Sequence, residues 1–168
     1  MYKILFIFTI IFTCLFKTSY ANEKIAFINI DRIINQSNFG KKIYTKLDSD
    51  YAKEDKKLKK IEKNLISQEQ EILKQKNILS EDELNNKITV LRKEIDDFKK
   101  KRKTINDKFT KKKLDETNKM VDKLNAILSK YADDNKISLI VQKKYIVIGK
   151  SELDITKSVL EIFNKEVK

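Results

Sequence analysis

Histidine, tryptophan and proline are absent from this 168-residue sequence, glycine occurs twice (Gly40 and Gly149) and cysteine once (Cys14). Without imidazole there is no Ser-His or Cys-His dyad and no histidine metal ligand, so acid-base chemistry would fall to carboxylates, lysine or tyrosine. No Walker loop or dinucleotide fingerprint is present, which leaves nucleotide-driven work unsupported. What is present is charge: 37 Lys and Arg against 25 Asp and Glu, for a net +12. High charge with so little glycine suits long solvated helices better than a sandwich or a phosphate-binding fold. Arg32, Arg92 and Arg102 are the whole arginine content. The wealth of Lys, Asn and Ile is what AT-rich codon usage produces, so part of the charge is compositional. The length allows one domain's worth of sequence.

The first 21 residues read as an address. Met1–Lys3 is a positive start, Ile4–Phe16 an apolar run of 13, and Ser19-Tyr20-Ala21 places small residues at the −3 and −1 positions of a cleavable secretory signal. The run is short of the roughly 20 residues that cross a bilayer as a helix. Cleavage is expected between Ala21 and Asn22. Cys14 lies inside the apolar run and its surroundings make a poor lipoprotein processing site, so no lipid anchor is expected. Removing 21 of the 168 residues leaves 147 without cysteine. The exported chain is then held by packing or oligomerisation, not disulfides. Loss of Lys3 and Lys17 lowers the net charge to +10, and outside the cytosol the partners of that charge shift from nucleic acid to anionic lipid, lipopolysaccharide or acidic polypeptide.

From Tyr44 the apolar residues keep heptad register through Tyr51, Leu58, Leu65, Ile72 and Leu79, with Leu47 and Ile61 in a second seam that Glu54, Gln68 and Gln75 interrupt. Such a seam predicts a loose, adaptable pairing. Ser80 and Glu83 have capping-box spacing, so one helix ends near Leu79 and another starts. The second runs through Leu84, Ile88, Leu91, Ile95, Phe98, Arg102, Ile105 and Phe109 and is expected to fold back as an antiparallel hairpin. The register slips at Thr110–Lys113, and a new stripe of Leu114, Thr117, Val121, Leu124, Leu128 and Tyr131 turns to another face, toward a body or a subunit.

The flanks read differently. Lys24–Ile30 predicts a strand, with Asp31 capping a short helix through Gln36 and a break at Ser37–Gly40. Ile137–Val141 and Tyr145–Ile148 predict a β-hairpin, and Asp154 caps a last amphipathic helix carrying Ile155, Val159, Ile162 and Phe163. The fold class expected is mostly α with a small β body (α+β). Residues 22–40 and 114–168 form a discontinuous oligomerisation body, and 41–113 form a helical arm with its turn near 80. Three short strands make a thin sheet with open edges, which argues that other subunits complete it.

Lys99, Lys100, Lys101, Arg102 and Lys103, together with Lys111, Lys112 and Lys113, are the candidate contacts to a client or an anionic surface. The bland alternative is a solvated helix face in a lysine-rich chain. Folding at Ser80 places 99–113, with nine Lys and Arg against one Asp, beside 41–60, with eight Lys against four Asp and Glu. Residues 61–80 are neutral and 81–98 carry three cations against six carboxylates. The arm is therefore basic near the body and mildly acidic at its tip. Asp48 with Asp50, Asp96-Asp97 and Asp133-Asp134 read as solvated charge and not as metal or catalytic pairs. The tyrosines fall mostly at heptad or strand positions, where packing accounts for them. No catalytic residue, metal or cofactor is expected.

The leader followed at once by Lys24-Ile25-Ala26-Phe27-Ile28-Asn29, the charged hairpin, and the ending from Ile137-Ser138-Leu139-Ile140-Val141 through Asp154-Ile155-Thr156 resemble the Skp (OmpH) family of periplasmic chaperones of Gram-negative bacteria. The resemblance spans the mature chain. It implies a homotrimer in which strand-bearing ends form a body and three hairpins surround a cavity that holds unfolded outer-membrane β-barrel proteins without ATP. It also brings lipopolysaccharide as a candidate partner, although family arms are often described as basic toward their tips and here the excess lies at the base. Two other classes fit parts of the sequence: a structural coiled-coil protein of the envelope, and an exported binder of anionic lipid or polysaccharide.

Overall fold

A computed structural model describes residues 23–168; the expected secretory leader and its expected cleavage point at Ala21-Asn22 lie outside the described residues. The chain runs β1 (Lys24–Ile28), α1 (Ile30–Gln36), α2 (Asn38–Gln75), α3 (Glu81–Asn135), β2 (Ile137–Gln142), two single 3-10 turns (Lys143–Tyr145 and Ser151–Leu153) and α4 (Thr156–Glu166). Long helices form an arm on a small body, as the periodicity required. At about 1.5 Å per residue, the 38 residues of α2 reach about 57 Å and the 55 of α3 about 80 Å.

The body is built around Ile28, Ile33, Met120, Leu124, Val159 and Phe163, all fully buried. Strand β1 lies parallel to β2, with Ile25 opposite Leu139 and Phe27 opposite Val141. The crossover between them is the whole of α1, α2 and α3. Strand β1, expected to extend to Ile30, ends at Ile28, because Asn29 becomes the cap of α1: its Oδ1 accepts from the Arg32 backbone N–H at 2.9 Å. Asp31, expected as that cap, sits inside the first turn. Asn29 N–H also donates to Thr156 Oγ1, and Asn38 N–H to Asn164 Oδ1, which ties both ends of α1 to α4.

The break expected over Ser37–Gly40 narrows to one residue. Buried Ser37 ends α1 and caps α2, its Oγ accepting from Gly40 N–H at 3.0 Å. Gly40 is then helical, and glycine is required by close approach: a Cβ there would lie 1.8 Å from the Ile34 carbonyl oxygen.

The expected β-hairpin does not form. After Gln142 the chain turns through Lys143–Tyr145, and Lys143 Nζ pairs with Asp154 at 2.7 Å while lying 5.5 Å from the Phe27 ring centre. The second β-branched run is thereby pulled off the sheet, and Val147 and Ile148 are 97% and 91% exposed. What joins β1 on its other side is a single parallel bridge from Phe27 to Asp154, with Ile155 N–H donating to the Phe27 carbonyl. The sheet therefore has two strands, not three. Asp154 Oδ1 accepts from Thr156 N–H, so it does brace the entrance to α4, although the residue at the cap position is Ile155. Burial acts to raise the Asp154 carboxyl; hydrogen bonds from Lys143 and Thr156 outweigh it and hold the group below the usual aspartate range.

Candidate functional site

The two arm helices meet through one narrow seam. Leu58, Leu65, Leu91 and Phe98 are its buried residues, flanked by Ile61, Ile72, Ile95 and Ile105. Helix α2 ends at Gln75 and not at Leu79; the turn follows, and Ser80 caps α3. Ser80 Oγ accepts from Glu83 N–H while the Glu83 carboxylate accepts from Ser80 N–H, the reciprocal box expected from the sequence. Hydrogen bonds from the Ser80 hydroxyl and backbone hold the Glu83 carboxyl below its ordinary range.

Cross-hairpin contacts fix the antiparallel register. Tyr44 Oη bonds Thr117 Oγ1 at 2.8 Å, and Tyr51 Oη donates to Asn106 Oδ1 at 3.0 Å. The Tyr51 ring also meets Phe109 edge-on at 5.2 Å. Farther out, Gln68 Nε2 donates to Glu94 and Lys87 Nζ to Gln75 Oε1. Two of the polar residues that interrupt the second seam, Gln68 and Gln75, thus become rungs between the helices, whereas Glu54 bonds Lys57 on its own helix. Each rung inserts a hydrogen bond where a tight coiled coil would place an apolar layer.

The same register sets the basic stretch 99–113 beside 41–60. Glu54 reports the juxtaposition: its carboxyl is lowered first by a hydrogen bond from Lys57, with Lys108 and Lys101 from the facing helix adding to the effect. Within the candidate run the cations are unequal. Lys99, Lys100 and Lys103 pair with Asp96, Asp97 and Asp107 one turn away, all exposed. Arg102 lies 5.7 Å from the Phe98 ring centre, and Lys113 5.4 Å from that of Tyr44. Lys101, Lys111 and Lys112 make no ion pair among the described residues. Surface pairs one helical turn apart hold their partners weakly, so all eight cations remain open to an anionic partner.

One part of the stripe expected toward the body moves. Leu114 is 58% exposed, and the residues that α3 buries in the body are Met120, Leu124 and Ile127, with Val121, Leu128 and Tyr131 packed at the edge. The helix passes the slip at Thr110–Lys113 without a break. Apolar surface is also left open along the arm at Ile66, Leu73, Ile78 and Val90 and on the body at Leu139 and Tyr145. Sequence reasoning missed most of this surface because it sits off the seam.

The carboxylate pairs stay surface groups. Asp96 and Asp97 face lysines, and among the described residues no group of three or more carboxylates and thiols is arranged to hold a metal ion. No helix among them is long and apolar enough to cross a membrane.

Comparison with known proteins bears on the whole of this architecture. The family described as outer membrane protein (OmpH-like) matches residues 24–163. No curated protein matches the sequence. Six chains of solved structures do match. One is a candidate outer membrane chaperone (OmpH-like) from Caulobacter crescentus CB15, with 15% identity, a TM-score of 0.77 and 88% of each chain covered. At that identity the likeness is one of fold.

Proposed function

The chain belongs to the OmpH-like family of outer membrane proteins, and from that premise we propose that it is an ATP-independent periplasmic holdase. It binds unfolded outer-membrane β-barrel proteins between helical arms, keeps them from aggregating and supports their delivery to the outer membrane. The observation that carries the reading is the arm itself: a long hairpin with strong positive charge at its base and apolar side chains left uncovered along its length. Such a surface holds an extended polypeptide by many weak contacts and reacts with nothing. No catalytic role is assigned.

Three copies form the working unit. A two-stranded sheet with exposed Leu139, Tyr145, Val147 and Ile148 beside it is an unfinished body, and partner subunits cover that surface. Three arms around one cavity then raise the effective concentration of weak sites, which gives avidity without a deep pocket. Release needs no fuel where membrane insertion is the more favourable state of the client.

The test is aggregation of a urea-diluted β-barrel protein followed by light scattering. Suppression at one client per three chains is expected; undiminished aggregation would end this reading. A salt titration measures the charge component, because exposed pairs are screened beyond about 8 Å at physiological ionic strength. The basic arm base favours a second activity, attachment to anionic lipid or lipopolysaccharide, which flotation with vesicles at low and high salt would separate from client holding.

A further inference from the structure

Near the tip the arm helices part around an apolar groove of about 310 Å³, whose floor and walls are Ile72 and Leu73 of α2 with Leu84, Ile88, Leu91 and Ile95 of α3. One polar rung, Gln68 with Glu94, lies toward its body end, and a second, Gln75 with Lys87, falls within its length, with Lys76 and Leu84 beyond it toward the turn. Leu73 stands one residue off the seam and is 65% exposed at the edge. Three charged groups complete the lining: Glu69, Lys76 and Arg92. Lys76 and Arg92 make no ion pair among the described residues, whereas nearby Lys87 is engaged by Gln75.

We infer that this tip groove is a client subsite that takes one large apolar side chain of an unfolded polypeptide, with a neighbouring carboxylate of the same segment held by Lys76 and Arg92. The inference rests on the holdase reading and gives it a local preference. Size selects the occupant: small-molecule sites start at about 300 Å³, so the groove admits one or two side chains but not a lipid with several acyl chains. Charge selects its neighbour. Two cations against one carboxylate at an apolar lining favour an anionic flank, although residues 81–98 as a whole are net acidic. The site is separate from the basic stretch at the arm base and would grip client where that stretch cannot reach.

The experiment uses the purified protein and two labelled extended peptides with a Leu-Phe centre, one flanked by Asp and the other by Asn. Leu73→Gln and the double variant Lys76→Glu/Arg92→Glu change exposed residues, so far-ultraviolet dichroism should match wild type. Leu73→Gln should weaken both peptides about tenfold, from the lost apolar contact. The charge reversal should weaken the Asp peptide about fivefold and leave the Asn peptide unchanged, in line with exposed ion pairs. If wild type suppresses β-barrel aggregation while all variants bind both peptides equally, the groove is not a subsite and the inference is overturned. If wild type fails to hold the β-barrel client, the holdase reading itself is lost. If the charge reversal lowers binding to phosphatidylglycerol vesicles and leaves both peptides unaffected, the occupant is lipid and the proposal is again overturned.

Discussion

Replacing Phe98 with alanine should loosen the arm and leave the body intact. Phe98 is 9% exposed and packs with Leu58, Leu65 and Leu91 in a cluster that shares no residue with the body core. Truncating a buried phenylalanine costs about 3–5 kcal/mol. Only two helices enclose this site, so water and neighbouring isoleucines can relax into the gap, and the lower bound of about 3 kcal/mol applies. Loss of the Arg102 contact over the ring adds about 0.5 kcal/mol at such an exposed position. At about 1.4 kcal/mol per decade, the arm's opening equilibrium rises more than a hundredfold. Native-state hydrogen exchange reads this directly. Amides near Leu65 and Leu91 should exchange at least a hundred times faster, while those of Ile28, Ile33, Leu124 and Phe163 keep their wild-type protection. Equal acceleration in the body would show a single cooperative unit and refute the separation of arm from core.

Other perturbations probe the joints. Ser80→Ala removes one half of the reciprocal cap and should cost about 0.5–2 kcal/mol, seen as faster exchange confined to the first turn of α3 and the preceding loop. Gly40→Ala inserts a better helix former by about 1 kcal/mol, yet its Cβ would meet backbone at 1.8 Å, an overpacking that costs up to about 3 kcal/mol, so thermal melting should show a net loss of about 2 kcal/mol. The Asp154 carboxyl is held below its ordinary range, so its contribution is present above the unfolded value of about 3.9 and is lost as pH falls through the lower folded value. Asp154→Asn should lower stability at neutral pH by about 1 kcal/mol and flatten the acid side of a denaturation series; an acid limb identical to wild type would place the effect elsewhere.

The arm was legible because its determinants are local. The seam through Leu58, Leu65, Leu91 and Phe98 repeats within a few turns, and the Ser80–Glu83 cap spans four residues. The errors fall where a distant segment decides. Tyr145–Ile148 has every local mark of a strand, but Lys143 turns the chain toward Asp154 and the partner of β2 proves to be β1, over a hundred residues earlier. Asn29 and Asp31 are both good cap residues, and the choice follows from Thr156, which binds the Asn29 backbone. Leu114 continues the spacing of Val121 and Leu128, yet the body reaches only as far as Met120 on that face. The lysine run was legible as charge, and the pairs with Asp96, Asp97 and Asp107 follow from spacings of three and four. The tip groove was hidden because Leu73 and Lys76 lie off the seam, where periodicity carries no signal.

The molar mass of the protein in solution, measured alone and after mixing with an unfolded β-barrel client, tests the central claim most directly. Holding between arms predicts three chains alone and one client added per three chains; a monomer that gains no client would contradict it.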